Sequence, residues 1–260
     1  MGTVYRATAR GSRRPLAIKV VHGHLVDTVN VRRLLGEVVA ALRIDHPAIV
    51  RVKDYGLTRC GRAYFVMEYV EGVSVAAFLD DGPLPIPIAC RFVRETAHAL
   101  ACAHRVGIVH RDVKPANILV TRARSGPLIR LIDFGIAKFI DGDGLNSHAT
   151  ASGVMLGTPA YMSPEQCIGD ELDHRTDIYS LGCVLYELIT GTKPFTGTPG
   201  AVLLAHRTML PVPPQDINPA VPDELETLVF DMLEKRQHER VQSIADFLAR
   251  LSQVSVDDYW

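Results

Sequence analysis

The sequence predicts an α+β fold in which a small antiparallel sheet with one main helix precedes a larger, mostly helical region. Three observations carry this. The N-terminal part holds short β-branched and apolar runs broken by turn residues, and after Gly72 the apolar positions switch to helical spacing. Between two helical stretches lies a charged loop with apolar flanks, residues 108–120, reading I-V-H-R-D-V-K-P-A-N-I-L-V. Strands first and helices later is the order of an α+β protein.

Residues 3–8 and 16–21 form a hairpin turning at Gly11-Ser12 inside R-G-S-R-R. Lys19 lies in the second strand, where an ammonium must reach a partner or solvent. The pattern V-R-R-L-L-G-E-V-V-A-A-L then predicts a helix with Leu34, Val38 and Ala41 on one face and Glu37 beside it. Gly36 weakens that helix by about 1 kcal/mol relative to alanine. Residues 49–57 and 63–69 add two strands.

Ser74 can N-cap V-A-A-F-L, and after the P-L-P-I-P break an apolar-periodic helix runs over residues 88–104, closed by Gly107. Ile108-Val109 and Ile118-Leu119-Val120 read as short β-type supports pinning the polar loop between them, and residues 128–132 form a strand that delivers Asp133. Between Asp133 and Glu165 the stretch D-G-D-G-L-N-S-H-A-T-A-S-G has no periodicity, and so long a loop in a compact domain is functional or disordered. Residues 176–190 form a strongly apolar helix that begins with a carboxylate, Asp177, placed well for the helix dipole. Helices over 201–209, 223–235 and 243–251 follow, the first two joined by P-V-P-P-Q-D-I-N-P-A-V-P.

With 47% hydrophobic and 22% charged residues and a net charge of -1, the composition carries no global pull toward nucleic acid or an anionic membrane. Five scattered cysteines without a C-x-x-C pair describe buried thiols in a reducing, cytoplasmic setting. His98, Cys102 and His104 have the makings of a zinc site, but Leu100 and alanines fill the gaps and the segment reads as a core helix. No apolar run reaches the roughly 18 residues that span a bilayer, although a membrane anchor in a longer parent chain stays open.

The loop holds the parts of phosphoryl transfer. Asp112 can accept a proton from an attacking hydroxyl, Lys114 can neutralise charge on a phosphoryl group, and Asn117 offers a metal-binding carbonyl oxygen. Downstream, Asp133-Phe134-Gly135 supplies a second metal ligand, Asp133, after a strand of branched apolar residues. The H-R-D-V-K-P-A-N run with D-F-G resembles the catalytic apparatus of eukaryotic-type protein Ser/Thr kinases, and is similar above all to their bacterial branch.

That resemblance implies a bilobal fold with a sheet lobe over residues 1–70 and a helical lobe over 71–260, ATP and Mg2+ as cofactors, and proteins with Ser/Thr acceptors as substrates. It implies that Lys19 holds the α- and β-phosphates and pairs with Glu37, that Met67 is the gatekeeper, and that Glu68 and Val70 supply hinge backbone groups. Val4, Ala17 and Leu119 would sandwich the adenine ring. The aperiodic loop becomes an activation loop ending in S-P-E, where the family usually shows A-P-E, and Arg240 resembles the late arginine that pairs with Glu165. Arg111 beside Asp112 calls for an anion; a phosphate on Thr150 or Ser152 supplies one, with Lys138 as a second contact. Thr158 is the threonine that contacts the catalytic aspartate and lysine, and Asp177 resembles the aspartate that hydrogen-bonds the catalytic-loop backbone.

The family's G-x-G-x-x-G-x-V loop is entered at Met1-Gly2-Thr3-Val4, so that Gly2 and Val4 match its final glycine and valine. On this reading Met1 is an internal residue of a longer frame, and residues 3–8 form an edge open to self-association. The same departure leaves a second reading, a catalytically weak or silent kinase-fold binding module.

Overall fold

The computed structural model describes residues 2–21, 44–123, 126–133 and 159–255. The expected helix around Glu37, and the segment with Phe134, Gly135, Lys138, Thr150, Ser152 and Thr158, lie outside the described residues. Strands β1 (Gly2–Thr8) and β2 (Pro15–Val21) form the expected hairpin, and β4 (Ala63–Glu68) joins the free side of β2 with β3 (Val52–Leu57) outside it. The order β1-β2-β4-β3 puts Lys19 between Val4 and Phe65 on a central strand.

The expected strand over 49–57 begins later, at Val52. Ile49 instead makes an isolated parallel bridge to Leu131 of the other lobe, with Val50 N donating to Leu131 O (3.0 Å) and Leu131 N to Ala48 O (2.7 Å). Cross-lobe pairing has claimed the backbone groups that the β3 ladder would have used.

The second lobe carries a three-stranded sheet in the order β5-β6-β7: β5 (Val73–Ser74), β6 (Ile118–Ala123) and β7 (Gly126–Leu131). Its helices are α1 (Val75–Phe78), α2 (Ile86–His104), α3 (Pro164–Ile168), α4 (Arg175–Thr190), α5 (Pro199–Thr208), α6 (Pro214–Ile217), α7 (Asp223–Met232) and α8 (Ile244–Leu251). Ser74 caps α1 as expected, accepting from Ala77 N at 3.4 Å. Helix α2 starts at Ile86, ahead of the expected Ile88, because Pro87 falls in its first turn, where an amide would lack an intrahelical acceptor anyway. It ends on Gly107, whose φ of 78° lets Ile108 N reach back to Ala103 O (3.0 Å). Ile108 and Val109 are irregular rather than a strand, so the loop after them takes its support from elsewhere.

That support is the core. Helix α4 is buried from Thr176 to Thr190 and packs against α2 and α7, while α2 also packs against α8. Leu100, Leu181, Leu185, Leu188 and Phe247 are fully buried among them, each contributing about 1.5–3 kcal/mol of apolar burial. No helix among the described residues is long and apolar enough to cross a membrane.

A buried ion pair sits inside this lobe. Arg240 donates in a fork to Glu165, Nη1 to Oε1 at 2.9 Å and Nη2 to Oε2 at 3.1 Å, and Thr176 Oγ1 adds 2.8 Å to Oε1. Arg240 Nη1 and Nε also reach the carbonyls of Arg175 (2.8 Å) and Glu234 (3.1 Å). Burial pushes the Glu165 carboxyl up, but Arg240, a backbone amide and Thr176 together outweigh it and hold the net pKa below the usual value. Deleting the arginine strands a buried carboxylate. Arg240→Ala should lower unfolding free energy by about 3–5 kcal/mol, read as a drop in the urea midpoint.

Candidate active site

Asp177, in the first turn of α4, has no exposed surface. Its Oδ2 accepts from His110 N (2.8 Å) and contacts His104 Nε2 (2.7 Å), and its Oδ1 accepts from Arg111 N (2.8 Å). This carboxylate pins the loop that Ile108 and Val109 do not. His104 is thus committed to Asp177, while His98 of the same helix is exposed.

The His110 ring is fully buried, and its two nitrogens have distinct tasks. Nδ1 accepts from Asp112 N (3.2 Å), and Nε2 lies 3.0 Å from Ile132 O. An amide donor on one side and a carbonyl on the other fix the neutral Nε2-H tautomer. Burial pushes its pKa down, against the upward pull of Asp177 and Asp112.

Arg111 is left-handed, with φ 63°, and Asp133 shares that conformation at φ 57°. Non-glycine residues hold it only where the surroundings over-determine it, as at functional sites. Gln166 Nε2 donates to Arg111 O at 2.9 Å.

Asp112, Lys114 and Asn117 converge. Lys114 Nζ lies 2.8 Å from Asp112 Oδ2, Asn117 Nδ2 is 3.0 Å from the same oxygen, and Nδ2 also donates to Asp112 O at 2.8 Å. A 3-10 turn at Pro115–Asn117 turns the amide inward, and Ile132 N donates to Asn117 O (2.9 Å), which ties this turn to the residue before Asp133. Across the lobes, Lys19 Nζ lies 2.8 Å from Asp133 Oδ1. Glu37, the partner expected for Lys19, lies outside the described residues.

An open cleft of about 170 Å³ runs from Asp133 up to β1. Val4, Ala17, Met67, Glu68, Val70 and Leu119 all line it. Gly2 does not; it starts β1 opposite Val21, where a Cβ would come within 2.4 Å of Val20 O, so close strand approach alone already requires glycine there. Tyr5, Arg6, Val50, Tyr69 and Ile132 complete the lining without having been singled out from sequence. Ile132 and Tyr69 flank Asp133 and Glu68, and that adjacency was their signal. The Glu68 side chain accepts from Arg51 N (3.0 Å) and pairs with Arg130 of β7. Gln166 was also missed, although S-P-E-Q reads as a capping box, and Ser163 N does donate to Gln166 Oε1 at 3.1 Å.

A family model described as the protein kinase domain matches residues 1–250. The chain is 38% identical to a probable serine/threonine-protein kinase of Clostridium perfringens, over 99% of this chain and 37% of the relative. It is 36% identical to the serine/threonine-protein kinase PknB of Mycobacterium leprae, over 98% of this chain and 41% of that one. It therefore spans well under half the length of these curated relatives. The solved kinase domain of Mycobacterium tuberculosis PknI superposes with a TM-score of 0.76 at 27% identity, covering 97% of this chain and 91% of that one. A structure of Rad53 residues 1–466 in complex with AMP-PNP gives a TM-score of 0.77 at 26% identity, covering 97% and 62%.

The Asp177 carboxylate takes donors that an amide cannot all satisfy. Asp177→Asn should leave one buried backbone N-H facing an NH2 group and cost about 1–3 kcal/mol, read as a lowered denaturation midpoint with faster amide exchange at His110 and Arg111.

Proposed function

The chain belongs to the protein kinase domain family, and on that premise we propose that it transfers the γ-phosphoryl group of ATP to serine or threonine hydroxyls of protein substrates. The observation that carries this is the convergence of Lys114 and Asn117 on Asp112, facing the cross-lobe pair of Lys19 and Asp133. Its lobes would be residues 1–70 and 71–260.

Asp112 accepts the proton of the attacking hydroxyl and orients its oxygen, and Lys114 stays beside it to neutralise charge on the transferred group. Lys19 holds the α- and β-phosphates, helped by Glu37. Met67, Glu68 and Val70 read the adenine edge, Val4, Ala17 and Leu119 cover its faces, and Gly2 belongs to the phosphate-covering loop. Asn117 and Asp133 are the oxygen donors for Mg2+: the engagement of Asn117 Nδ2 with Asp112 leaves its amide oxygen as the ligating end. A small donor set suits a metal that keeps waters and substrate phosphates in its shell. When bound, Mg2+ neutralises phosphate charge. Arg111 and Lys138 would receive a phosphate on Thr150 or Ser152, and Thr158 would contact Asp112 and Lys114.

Incubation with Mg-ATP should add phosphate units to the intact mass, and peptide mapping should place them at Thr150 or Ser152. Asp112→Asn should lower transfer by about 10²–10⁴-fold while leaving ATP binding nearly intact. Near-normal turnover in that variant would remove Asp112 from its role.

A further inference from the structure

Asp177 grips the amides of His110 and Arg111, which belong to the peptides on the N-terminal side of Arg111. The peptide that follows Arg111, and that carries Asp112, has a separate grip at each end. Its N-H donates to His110 Nδ1 at 3.2 Å, and its C=O accepts from Gln166 Nε2 at 2.9 Å. A left-handed Arg111, φ 63°, carries a strain of about 1–2 kcal/mol. Rotation of the following peptide about Arg111 ψ and Asp112 φ leaves that φ unchanged but swings the Asp112 carboxylate, and both grips resist it.

We propose that Gln166 is a positioning residue of the phosphoryl-transfer reaction, its amide holding the Arg111–Asp112 peptide in the orientation that aims Asp112 at the acceptor hydroxyl. This rests on the function read above. The two ends of the Gln166 amide do different work: Oε1 accepts from Ser163 N (3.1 Å) and completes the cap of α3, while Nε2 reaches across to the loop. The helix that opens at S-P-E therefore registers the general base directly, independently of the buried Glu165–Arg240 pair beside it.

The competing account is that Gln166 serves only the helix cap, and the split amide separates the two. Gln166→Glu keeps an acceptor for Ser163 N and loses the donor to Arg111 O. Gln166→Met is neutral and loses both. Ser163→Ala removes the capping hydroxyl and leaves the Gln166 donor in place. On the positioning account Gln166→Glu and Gln166→Met both lower kcat, by about 10–100-fold, the scale of a misplaced catalytic group. KM for ATP stays within about twofold, and Ser163→Ala keeps kcat within about twofold of the parent. Hydrogen-deuterium exchange supplies the second arm: residues 110–112 exchange faster in both Gln166 variants, while residues 163–168 of Gln166→Glu exchange as in the parent. Parent-like kcat in Gln166→Glu, parent-like exchange at 110–112, or an equal loss in Ser163→Ala would each overturn the proposal. Exchange needs no turnover, so a parent that transfers no phosphate defeats the kinase reading, and with it any catalytic role for Gln166, while the grip on the peptide is still decided.

Discussion

The arrangement depends on one buried carboxylate. Asp177 lies wholly out of solvent, and an isolated charge there would be prohibitive. Two backbone amides and His104 surround it, and its place in the first turn of α4 adds the favourable end of the helix dipole. Because α4 is buried along nearly its whole length, Asp177 is fixed relative to the core, and the loop bearing Asp112 is fixed relative to Asp177. Core packing is in this way converted into the position of a functional group.

The backbone strain found at non-glycine residues lies beside the chemistry. Among the described residues only Arg111 and Asp133 combine a side chain with positive φ, and both flank or form the proposed reacting site. The His110 ring spans them, linked to Asp112 N on one side and to Ile132 O, one residue before Asp133, on the other. Burial lowers the pKa of that ring, which favours the neutral form whose Nδ1 accepts from Asp112 N. Two strained turns are thus joined through one buried imidazole.

Much of this was legible in the sequence, because strong periodicity and turn chemistry are local. The β1–β2 hairpin, the Ser74 cap, the long α2 and the carboxylate at the head of α4 follow from spacing and residue type alone. The misreadings share one cause, partners distant in the chain. Ile49 and Val50 look like strand but bond to Leu131. Ile108 and Val109 look like a β support, yet the work falls to Asp177, whose bond to the loop backbone came from the family resemblance and not from spacing. Gln166 carries a local signal for its cap and none for its reach to Arg111, which lies across the fold. The proximity of Lys19 and Asp133 was equally unreadable from spacing, since each residue signals only a phosphate or metal role.

The same contrast bears on what sets the angle between the lobes. Lys19–Asp133 and Glu68–Arg130 both cross from the sheet lobe to the end of β7, but their side chains keep 16–30% of their surface in solvent. For ion pairs so far withdrawn from water, the cost of desolvating both charges offsets much of their attraction. The backbone bonds between residues 48–50 and Leu131 are different, since Leu131 is fully buried and Ile49 is 4% exposed. Breaking them would leave amide and carbonyl groups without water, at about 1–3 kcal/mol for each group. Among the described residues the short parallel bridge at Leu131 is therefore a more firmly held crossing than the ion pairs beside it. Leu131 lies two residues before Asp133, so this bridge ties the sheet lobe to the strand that delivers Asp133, while the Asp112 loop is held separately by Asp177.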